Sequence, residues 1–178
     1  MLSKILSIND CSTCKFCCRF KRTSLWETPL FSFEEKKLLQ QKFPLAKFKP
    51  ISQDSFTIDL ILEYKTSNPE EEAVCYFLDD KKGCLLNKKE KPFDCSVWPF
   101  RIMKKDDSLV IALTPTCSTI NKIPIEDLKQ FVLENIAQEI FFQAEFRPYI
   151  IKKYKSDFPI ILTKEEWNKK SRKYRLYI

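Results

Sequence analysis

The sequence contains no histidine and one glycine, Gly83, among its 178 residues. Without histidine, the chain has no imidazole base for a Ser-His or Cys-His catalytic pair and no imidazole metal ligand. Zinc protease and zinc deaminase signatures, which need histidine, are therefore absent. A single glycine also excludes a glycine-rich phosphate-binding loop. The absences remove most familiar enzyme motifs from consideration.

Long apolar runs are missing as well. No stretch approaches the roughly 20 apolar residues that a membrane-spanning helix needs. The N-terminal residues lack the apolar segment and the small-residue cleavage site of a signal peptide. Hydrophobic residues make up 44% of the chain, which is ordinary for a globular protein with a real core. We therefore expect a cytoplasmic protein without membrane contact.

Cysteine is abundant. Four cysteines lie in the stretch from residue 11 to residue 18, and four follow singly; the eight are Cys11, Cys14, Cys17, Cys18, Cys75, Cys84, Cys95 and Cys117. Disulfides are disfavoured in the cytosol, so disulfide bonding and plain buried thiols are the weaker alternatives. Thiolate ligands without histidine select zinc or iron–sulfur clusters. All eight cysteines are candidate metal ligands, in one or two centres.

The spacing of the clustered cysteines leaves two local structures open. A helix over residues 11–18 would place all four in one stripe, about 120° wide. A knuckle would instead bend each Cys-x2-Cys pair around one ion. Because Cys17 and Cys18 are adjacent, we expect remote cysteines to complete the site. The Cys-x2-Cys-x2-Cys run matches the first ligands of a ferredoxin-type cluster, although no proline follows the candidate fourth cysteine. We predict a [4Fe-4S] cluster, with Zn²⁺ as the alternative.

Local patterns predict the regular elements. Capping boxes at Ser32–Glu35 and Thr163–Glu166 predict two helix starts. Apolar residues at helical spacing predict one long helix from Pro124 to about Phe146. Alternation predicts a strand over 55–64, a second strand over 73–78 that turns at Gly83 and returns from Cys84, and a hairpin joining 100–103 to 109–113. Residues 91–99 are predicted to form a turn or short helix that presents Cys95.

These elements predict an α+β fold, in which short antiparallel hairpins surround a Cys-rich metal site and pack against a long C-terminal helix. We divide the chain into a Cys-rich metal-binding domain, residues 1–120, and a helical, basic C-terminal extension packed on it, residues 121–178. Phe93, Trp98 and Phe100 are expected to shield Cys95 from water. Lys91 and Arg101 are expected to be solvated charges, with donation to a sulfur or to a substrate carboxylate as the alternative.

Three ordered motifs resemble one known family. They are the N-terminal Cys-x2-Cys-x2-Cys-Cys, the Cys-Tyr-Phe-Leu at 75–78 with Gly-Cys at 83–84, and Lys-Pro-Phe-Asp-Cys-Ser-Val-Trp-Pro-Phe at 91–100. Together they resemble the YkgJ-like zinc- or iron-chelating domain family over residues 11–117. The resemblance implies a Cys-rich metal-binding domain. It also implies a second, enzymatic alternative, because a flagellin lysine N-methylase with an iron–sulfur cluster is similar. Lys91 stands where that family usually has arginine.

The C-terminal region is basic. From Arg147 onward there are ten Lys and Arg residues against three Asp and Glu residues, interleaved with Tyr149, Tyr154, Trp167, Tyr174 and Tyr177. Basic residues with aromatics can bind a nucleic-acid backbone and stack on bases. The alternative is a solvated surface with anchoring aromatics. Residues 147–178 are thus a candidate surface for nucleic acid or a protein partner.

Three classes of function follow from the sequence. The first is a protein that holds an iron–sulfur cluster or zinc for a redox role or a metal-dependent modification. The second is a structural-zinc module that binds nucleic acid through residues 147–178. The third is a lysine N-methylase-like enzyme, which would need a cofactor pocket that no motif in the sequence identifies.

Overall fold

The computed structural model describes residues 2–175. The chain divides into two contact-dense units, Ser3–Ser96 and a second unit that begins at Val97. Short, mostly antiparallel sheets and helices occur together, so the predicted α+β class is confirmed. The assignment of residues 1–120 and 121–178 as domains stays a prediction, whereas the structural units meet after Ser96.

The first unit is built from short elements. Its helices are α1 (Ile8–Cys14), α2 (Phe33–Lys42) and α3 (Phe93–Val97), the last of which ends at the boundary. Its strands are β1 (Arg19–Lys21), β2 (Leu30–Phe31), β3 (Phe48–Pro50), β4 (Phe56–Ile58), β5 (Glu72–Val74), β6 (Leu78–Asp79) and β7 (Gly83–Cys84). Three antiparallel sheets result: β1 with β5, β2-β4-β3, and the β6–β7 hairpin.

An aromatic cluster forms the core of this unit. Phe77 is 1% exposed and lies within ring-contact distance of Phe31, Phe43 and Phe48. Its centroid is 5.2 Å from that of Phe43, in an edge-to-face arrangement that aromatic pairs favour. Cys75 is buried in the same core, and Cys18 and Cys84 pack against it. Three of the candidate ligands, Cys18, Cys75 and Cys84, therefore pack in or against the core of the first unit.

The second unit has one sheet covered by helices. Its elements are β8 (Phe100–Lys105), β9 (Ser108–Leu113), α4 (Ile125–Asn135), α5 (Ala137–Phe146), β10 (Lys152–Lys153), β11 (Ile160–Thr163) and α6 (Lys164–Arg175). The strand order is β10-β8-β9-β11, with β10 parallel to β8 and the other pairs antiparallel. Helices α4 and α6 pack on β11, and α5 packs on β8.

The predicted single helix from Pro124 to Phe146 is wrong. The helix stops at Asn135, and Ile136 takes non-helical angles (φ −135°, ψ −17°) before α5 begins. The Asn135 side-chain amide donates to the Phe131 carbonyl at 2.9 Å. This side-chain bond competes with the backbone bonding of the helix, as asparagine side chains often do. The break allows α4 and α5 to bury separate apolar faces, and Ile136 itself is buried.

Several local predictions are confirmed. Both capping boxes form, with Ser32 capping α2 and Thr163 exchanging hydrogen bonds with Glu166 at the start of α6. The hairpins β6–β7 and β8–β9 form, and Gly83 has a positive φ of 76°. Two strands are shorter than predicted. The strand predicted over 55–64 ends at Ile58, and the one predicted over 73–78 is interrupted after Val74 by a turn.

None of the helices within residues 2–175 has both the length and the apolar character that crossing a membrane requires.

Candidate metal centre

The clustered cysteines do not form a single helical stripe. Helix α1 is capped at Ser7 and ends at Cys14, after which Lys15 adopts a left-handed conformation (φ 53°, ψ 6°). The Lys15 N–H donates to the Cys11 carbonyl at 3.0 Å and closes the helix. A 3₁₀ turn, Phe16–Cys18, follows. The helical alternative for residues 11–18 is therefore wrong, because the left-handed Lys15 ends α1 between Cys14 and Cys17.

The β1–β5 pair brings two cysteine segments together. Cys18 directly precedes β1 and Cys75 directly follows β5, and the antiparallel register pairs Arg19 with Val74. The Cys75 N–H continues the ladder by donating to the Cys18 carbonyl at 2.8 Å. Two segments more than fifty residues apart in sequence thus meet at the end of one small sheet. The sequence predicted a remote cysteine near the cluster but not this pairing.

A tight turn then carries the chain from Cys75 to the hairpin that bears Cys84. The Leu78 N–H donates to the Cys75 carbonyl at 2.9 Å, and Leu78 lies opposite Cys84 in the β6–β7 register. The backbone N–H of Phe77 donates to the Cys75 thiol and lowers its pKa, although other causes outweigh this effect. Because Phe77 is fixed by the aromatic core, the Cys75 thiol is held in place. The predicted proximity of Cys75 and Cys84 is therefore found.

Helix α3 supplies Cys95. The predicted short helix forms over Phe93–Val97, with the Cys95 N–H donating to the Pro92 carbonyl at 3.0 Å. The neighbouring carboxylate of Asp94 is buried and accepts a hydrogen bond from the Leu30 N–H at 3.3 Å. This bond ties α3 to the start of β2. Cys95 itself is exposed to solvent.

Ion pairs fix α1 next to the hairpin. Helix α1 packs against β7. The Lys15 ammonium donates to the backbone carbonyl of Asp80 in the hairpin turn, and it lies 3.8 Å from the Asp80 carboxylate. The Arg19 guanidinium lies 3.7 Å from the same carboxylate. Both ends of the Phe16–Cys18 turn are therefore anchored to the turn that precedes Cys84.

The thiols of this region interact with one another electrostatically. Burial, chiefly, and then the neighbouring thiols of Cys84 and Cys17 raise the pKa of Cys75 to about 12. Crowding by protein atoms, followed by the thiols of Cys75 and Cys17, raises the pKa of Cys95 well above its usual range. The side-chain hydrogen bond with Cys18, followed by burial, raises the pKa of Cys17. Without a metal, these thiols are therefore protonated at neutral pH.

Four cysteines share most of these interactions. After burial, the thiols of Cys75, Cys17 and Cys84 raise the pKa of Cys95, and those of Cys84 and Cys17 raise the pKa of Cys75. We call Cys17, Cys75, Cys84 and Cys95 the inner set. Cys18 interacts with Cys17 and packs on the core. The chain thus supplies the inner set from three separate segments, which is how remote ligands close a metal site.

The other predicted ligands lie elsewhere. Cys11 and Cys14 are exposed on α1, and Cys117 lies in the second unit after β9. All eight cysteines belong to the described residues, and none forms a disulfide. Within residues 2–175 no group of three or more Cys, Asp or Glu side chains is already arranged to hold a metal ion. The ligand assignment of all eight stays a prediction.

The predictions for the residues near Cys95 in sequence are confirmed for Phe93 and wrong for Arg101. Phe93, which shares α3 with Cys95, is buried as expected. Phe100 belongs to the second unit, where its ring stacks on Phe131 with centroids 6.4 Å apart. The expectation that Arg101 is solvated is wrong, because Arg101 is 1% exposed and its guanidinium lies 4.5 Å from the Trp98 ring centroid. Stacking on an aromatic face suits the flat, weakly hydrated guanidinium.

Sequence reasoning overlooked two supporting residues and underrated a third. The sequence predicts Phe77 as part of a strand and gives no indication that its N–H donates to the Cys75 thiol. Asp94 raises the pKa of Cys95 and links α3 to β2. For Lys91 the sequence favours solvation over donation to a sulfur; the Cys18 hydrogen bond and burial raise the pKa of Cys17, and the Lys91 ammonium offsets part of that rise. The cysteine–x–aromatic spacing at 75–77 is the one signal that could have identified Phe77.

The basic C-terminal region shows internal pairing where it is described. Lys164 lies 3.0 Å from Glu145 and over the Trp167 ring, and Lys169 lies 2.7 Å from Glu165. The Tyr154 hydroxyl donates to the Phe158 carbonyl at 2.9 Å. The Tyr174 side chain and all of Tyr177 lie outside the described residues. These contacts are those expected of anchoring aromatics and paired surface charges, and the predicted nucleic-acid surface stays a prediction.

No protein-family model matches the chain, and comparison with curated proteins and with solved structures finds no match either. The resemblance to YkgJ-like domains therefore stays a prediction that depends on the three cysteine motifs.

The donor chemistry of the inner set fits a zinc ion or an iron–sulfur cluster. Both take four cysteine thiolates, and the inner set offers four sulfur donors without histidine. The Phe77 N–H already donates to one of these sulfurs. Such N–H donors stabilise a metal-bound thiolate and tune its centre. The apolar core beneath Cys75 and Cys84 would limit water at the same side.

Proposed function

We propose that this protein is a metal-binding protein whose first unit holds one thiolate-ligated centre through Cys17, Cys75, Cys84 and Cys95. The observation that carries the proposal is that the β1–β5 pairing and the β6–β7 hairpin bring the segments of Cys18, Cys75 and Cys84 together. After burial, the thiols of Cys75, Cys17 and Cys84 also raise the pKa of the Cys95 thiol. A [4Fe-4S] cluster is the preferred occupant and Zn²⁺ the alternative. When bound, the cluster would supply one-electron redox chemistry, and zinc would supply structural closure.

The residues around the inner set have defined tasks in this proposal. Phe77 orients Cys75 through its N–H, and the aromatic core keeps water from that side of the site. The Lys91 ammonium favours ionisation of Cys17 and offsets negative charge as thiolates form. The anchoring of Lys15 and Arg19 to Asp80 holds the Cys17 turn near the hairpin. Ionised thiolates repel one another, so the bound metal would draw the four together.

The test is elemental analysis of protein purified without oxygen. Iron with an equal amount of acid-labile sulfide, together with a broad visible absorbance, supports the cluster. Stoichiometric zinc without iron or sulfide supports the alternative. A preparation that contains neither iron nor zinc in stoichiometric amount would contradict the proposal.

Variants decide which cysteines bind the metal. Cys75→Ser and Cys95→Ser should each lower the metal content. Ala73→Ser is the matched control, because it places a hydroxyl in the same buried core and removes no thiol. Cys117→Ser, in the second unit, should keep the metal. Full occupancy in both Cys75→Ser and Cys95→Ser would refute the inner set.

A further inference from the structure

Two pairs of adjacent lysines meet at one edge of the sheet in the second unit. Strand β10 is the edge strand and runs parallel to β8, in a register that places Lys153 opposite Lys104. The Tyr154 N–H continues this pairing by donating to the Lys104 carbonyl at 3.0 Å. The Lys105 ammonium lies 5.4 Å from the centroid of the Tyr154 ring. The pairing of β10 with β8 therefore brings Lys104 and Lys105 beside Lys152 and Lys153, from a segment far away in sequence.

An open groove of about 560 Å³ lies at this edge. Three lysines, one aspartate and two apolar residues line it; they are Lys104, Lys152, Lys153, Asp106, Pro148 and Ile151. We call it the lysine groove. Lys104 and Lys153 are exposed and Lys152 is half-buried. Because like charges on neighbouring strands repel, an anion in the groove would stabilise this edge of the sheet.

Acidic side chains neutralise only part of the positive charge at the groove. Lys104 lies 3.9 Å from the Asp107 carboxylate in the turn after β8, and this pair is exposed to solvent. Residues 147–155 contain four basic side chains and no acidic one. On α6, by contrast, Lys164 and Lys169 already lie within 3.0 Å of a carboxylate. The groove is therefore the part of the basic C-terminal region that best suits a polyanion.

Two exposed aromatic rings lie close to the groove along the chain. Phe142 and Phe146 are four residues apart on α5, 51% and 69% exposed, with ring centroids 4.6 Å apart. Phe146 comes two residues before Pro148 of the groove, so their Cα atoms are at most about 7 Å apart. Sites for single-stranded nucleic acid combine these two features, since lysines contact the phosphates and aromatic rings stack on the bases.

We propose that the lysine groove and the Phe142–Phe146 pair bind single-stranded nucleic acid without regard to base sequence. The ammonium groups of the groove contact successive phosphates, and the exposed rings stack on unpaired bases. An open groove suits a long chain that passes through it, whereas small ligands are mostly enclosed by their pockets. The site lies wholly in the second unit and uses no cysteine, so it does not depend on the proposed metal centre.

The experiment measures fluorescence anisotropy of a labelled oligothymidylate of about 20 nucleotides, longer than the roughly 4–16 that a small single-strand-binding domain contacts. The full-length protein is titrated at several salt concentrations. Each phosphate contact with a single strand contributes about 0.7 to the slope of log affinity against log salt. Lys104→Gln/Lys153→Gln should therefore reduce that slope by about 1.4.

Two further variants separate stacking from charge. Phe142→Ala/Phe146→Ala should weaken binding at least about fivefold, the lower end for loss of one stacked base, and leave the salt slope unchanged. Lys169→Gln/Lys170→Gln is the matched control, because it removes the same charge from exposed positions on α6. This control should bind like the wild type. Urea unfolding checks that each variant is as stable as the wild type.

The outcomes are distinct from those that test the metal centre. An equal loss of salt slope in the α6 control would overturn the inference, because net charge rather than the groove would then cause binding. Tighter binding of the duplex with oligoadenylate, or equal competition by inorganic polyphosphate, would also overturn it, since neither ligand offers unpaired bases. Absence of binding by the wild type at about 50 mM salt would overturn it as well and leave the measured metal content unaffected.

Discussion

The metal-free protein should lose stability as the solution becomes alkaline, and Cys75 sets the size of the effect. Its thiol is buried and its pKa is raised from 9.0 to about 12. A raised pKa means that the folded state holds the proton more tightly than the unfolded state. The resulting stabilisation is complete below pH 9 and is lost as the pH rises toward 12.

The magnitude follows from the two pKa values. One pKa unit corresponds to about 1.4 kcal/mol. At about pH 10 the unfolded thiol is mostly ionised while the folded thiol is still protonated, so Cys75 alone lowers the free energy of unfolding by about 1.4 kcal/mol. The pKa values of Cys17 and Cys95 are raised as well, so their contributions have the same sign.

The assay is urea unfolding of reduced, chelator-treated protein at about pH 7 and about pH 10. Trp98→Phe and Trp167→Phe leave Trp26 as the single indole, so that its fluorescence reports on the first unit. Cys75→Ala should remove about 1.4 kcal/mol of the pH dependence. Cys117→Ala, which keeps the Cys75 thiol, should leave that dependence unchanged.

Metal binding should abolish the alkaline loss. A metal-bound Cys75 is already a thiolate in the folded state, so no proton remains to be lost there. Metal-free protein whose unfolding free energy is the same at both pH values would refute the reasoning about Cys75. If Cys75→Ala still removes about 1.4 kcal/mol of the pH dependence from the metal-loaded protein, Cys75 is not a ligand.

Three further predictions concern the framework of the protein. Tyr64→Phe should lower the unfolding free energy by about 0.5–1.5 kcal/mol, because it removes the hydrogen bond that the buried Tyr64 hydroxyl donates to the Phe20 carbonyl at 2.7 Å. Ser32→Ala should destabilise by about 1 kcal/mol through loss of the α2 cap, whereas Ser32→Asp should retain most of it. Glu71→Gln should make the protein less sensitive to acid. Hydrogen bonds to its carboxylate, first from the Lys65 N–H, lower the pKa of Glu71 below 4.5. The stabilisation from this carboxylate is therefore lost as the pH falls through the lowered pKa.

Urea unfolding measures all three. Unchanged midpoints for Tyr64→Phe and Ser32→Ala would contradict the assigned hydrogen bonds. For Glu71→Gln the measurement is the change of unfolding free energy with pH below about pH 5, in the variant and in the wild type. If the two slopes are equal, Glu71 does not cause the acid sensitivity. Metal content should be unchanged in the three variants, since none alters a thiol.

Features set by adjacent residues could be predicted from the sequence. A serine or threonine followed three residues later by glutamate caps a helix through short-range bonds, and both predicted boxes form. The only glycine lies where the β6–β7 hairpin needs a positive φ. The α3 turn before Pro99 likewise follows from local chemistry. These features depend on contacts within a few residues, so the local sequence is sufficient.

Helix continuity and strand length could not be predicted in the same way. The apolar spacing over 124–146 is compatible with one helix. The structure has two helices, because the Asn135 side chain bonds to the Phe131 carbonyl and because α4 and α5 each bury an apolar face. The residues after Val74 alternate like a strand, yet the Cys75 carbonyl bonds to Leu78 and turns the chain. Tertiary packing overrides propensity at both places.

By itself, the sequence determined the chemistry available to this protein. Eight cysteines without histidine restrict the ligands to sulfur, and one glycine restricts the turns, because composition fixes which donor atoms exist. Only the tertiary structure decided which sulfurs act on one another. The β1–β5 pairing and the β6–β7 hairpin bring the segments of Cys18, Cys75 and Cys84 together. After burial, the thiols of Cys75, Cys17 and Cys84 raise the pKa of Cys95 on α3. Burial and proximity between distant segments arise from long-range packing, which spacing along the chain does not encode.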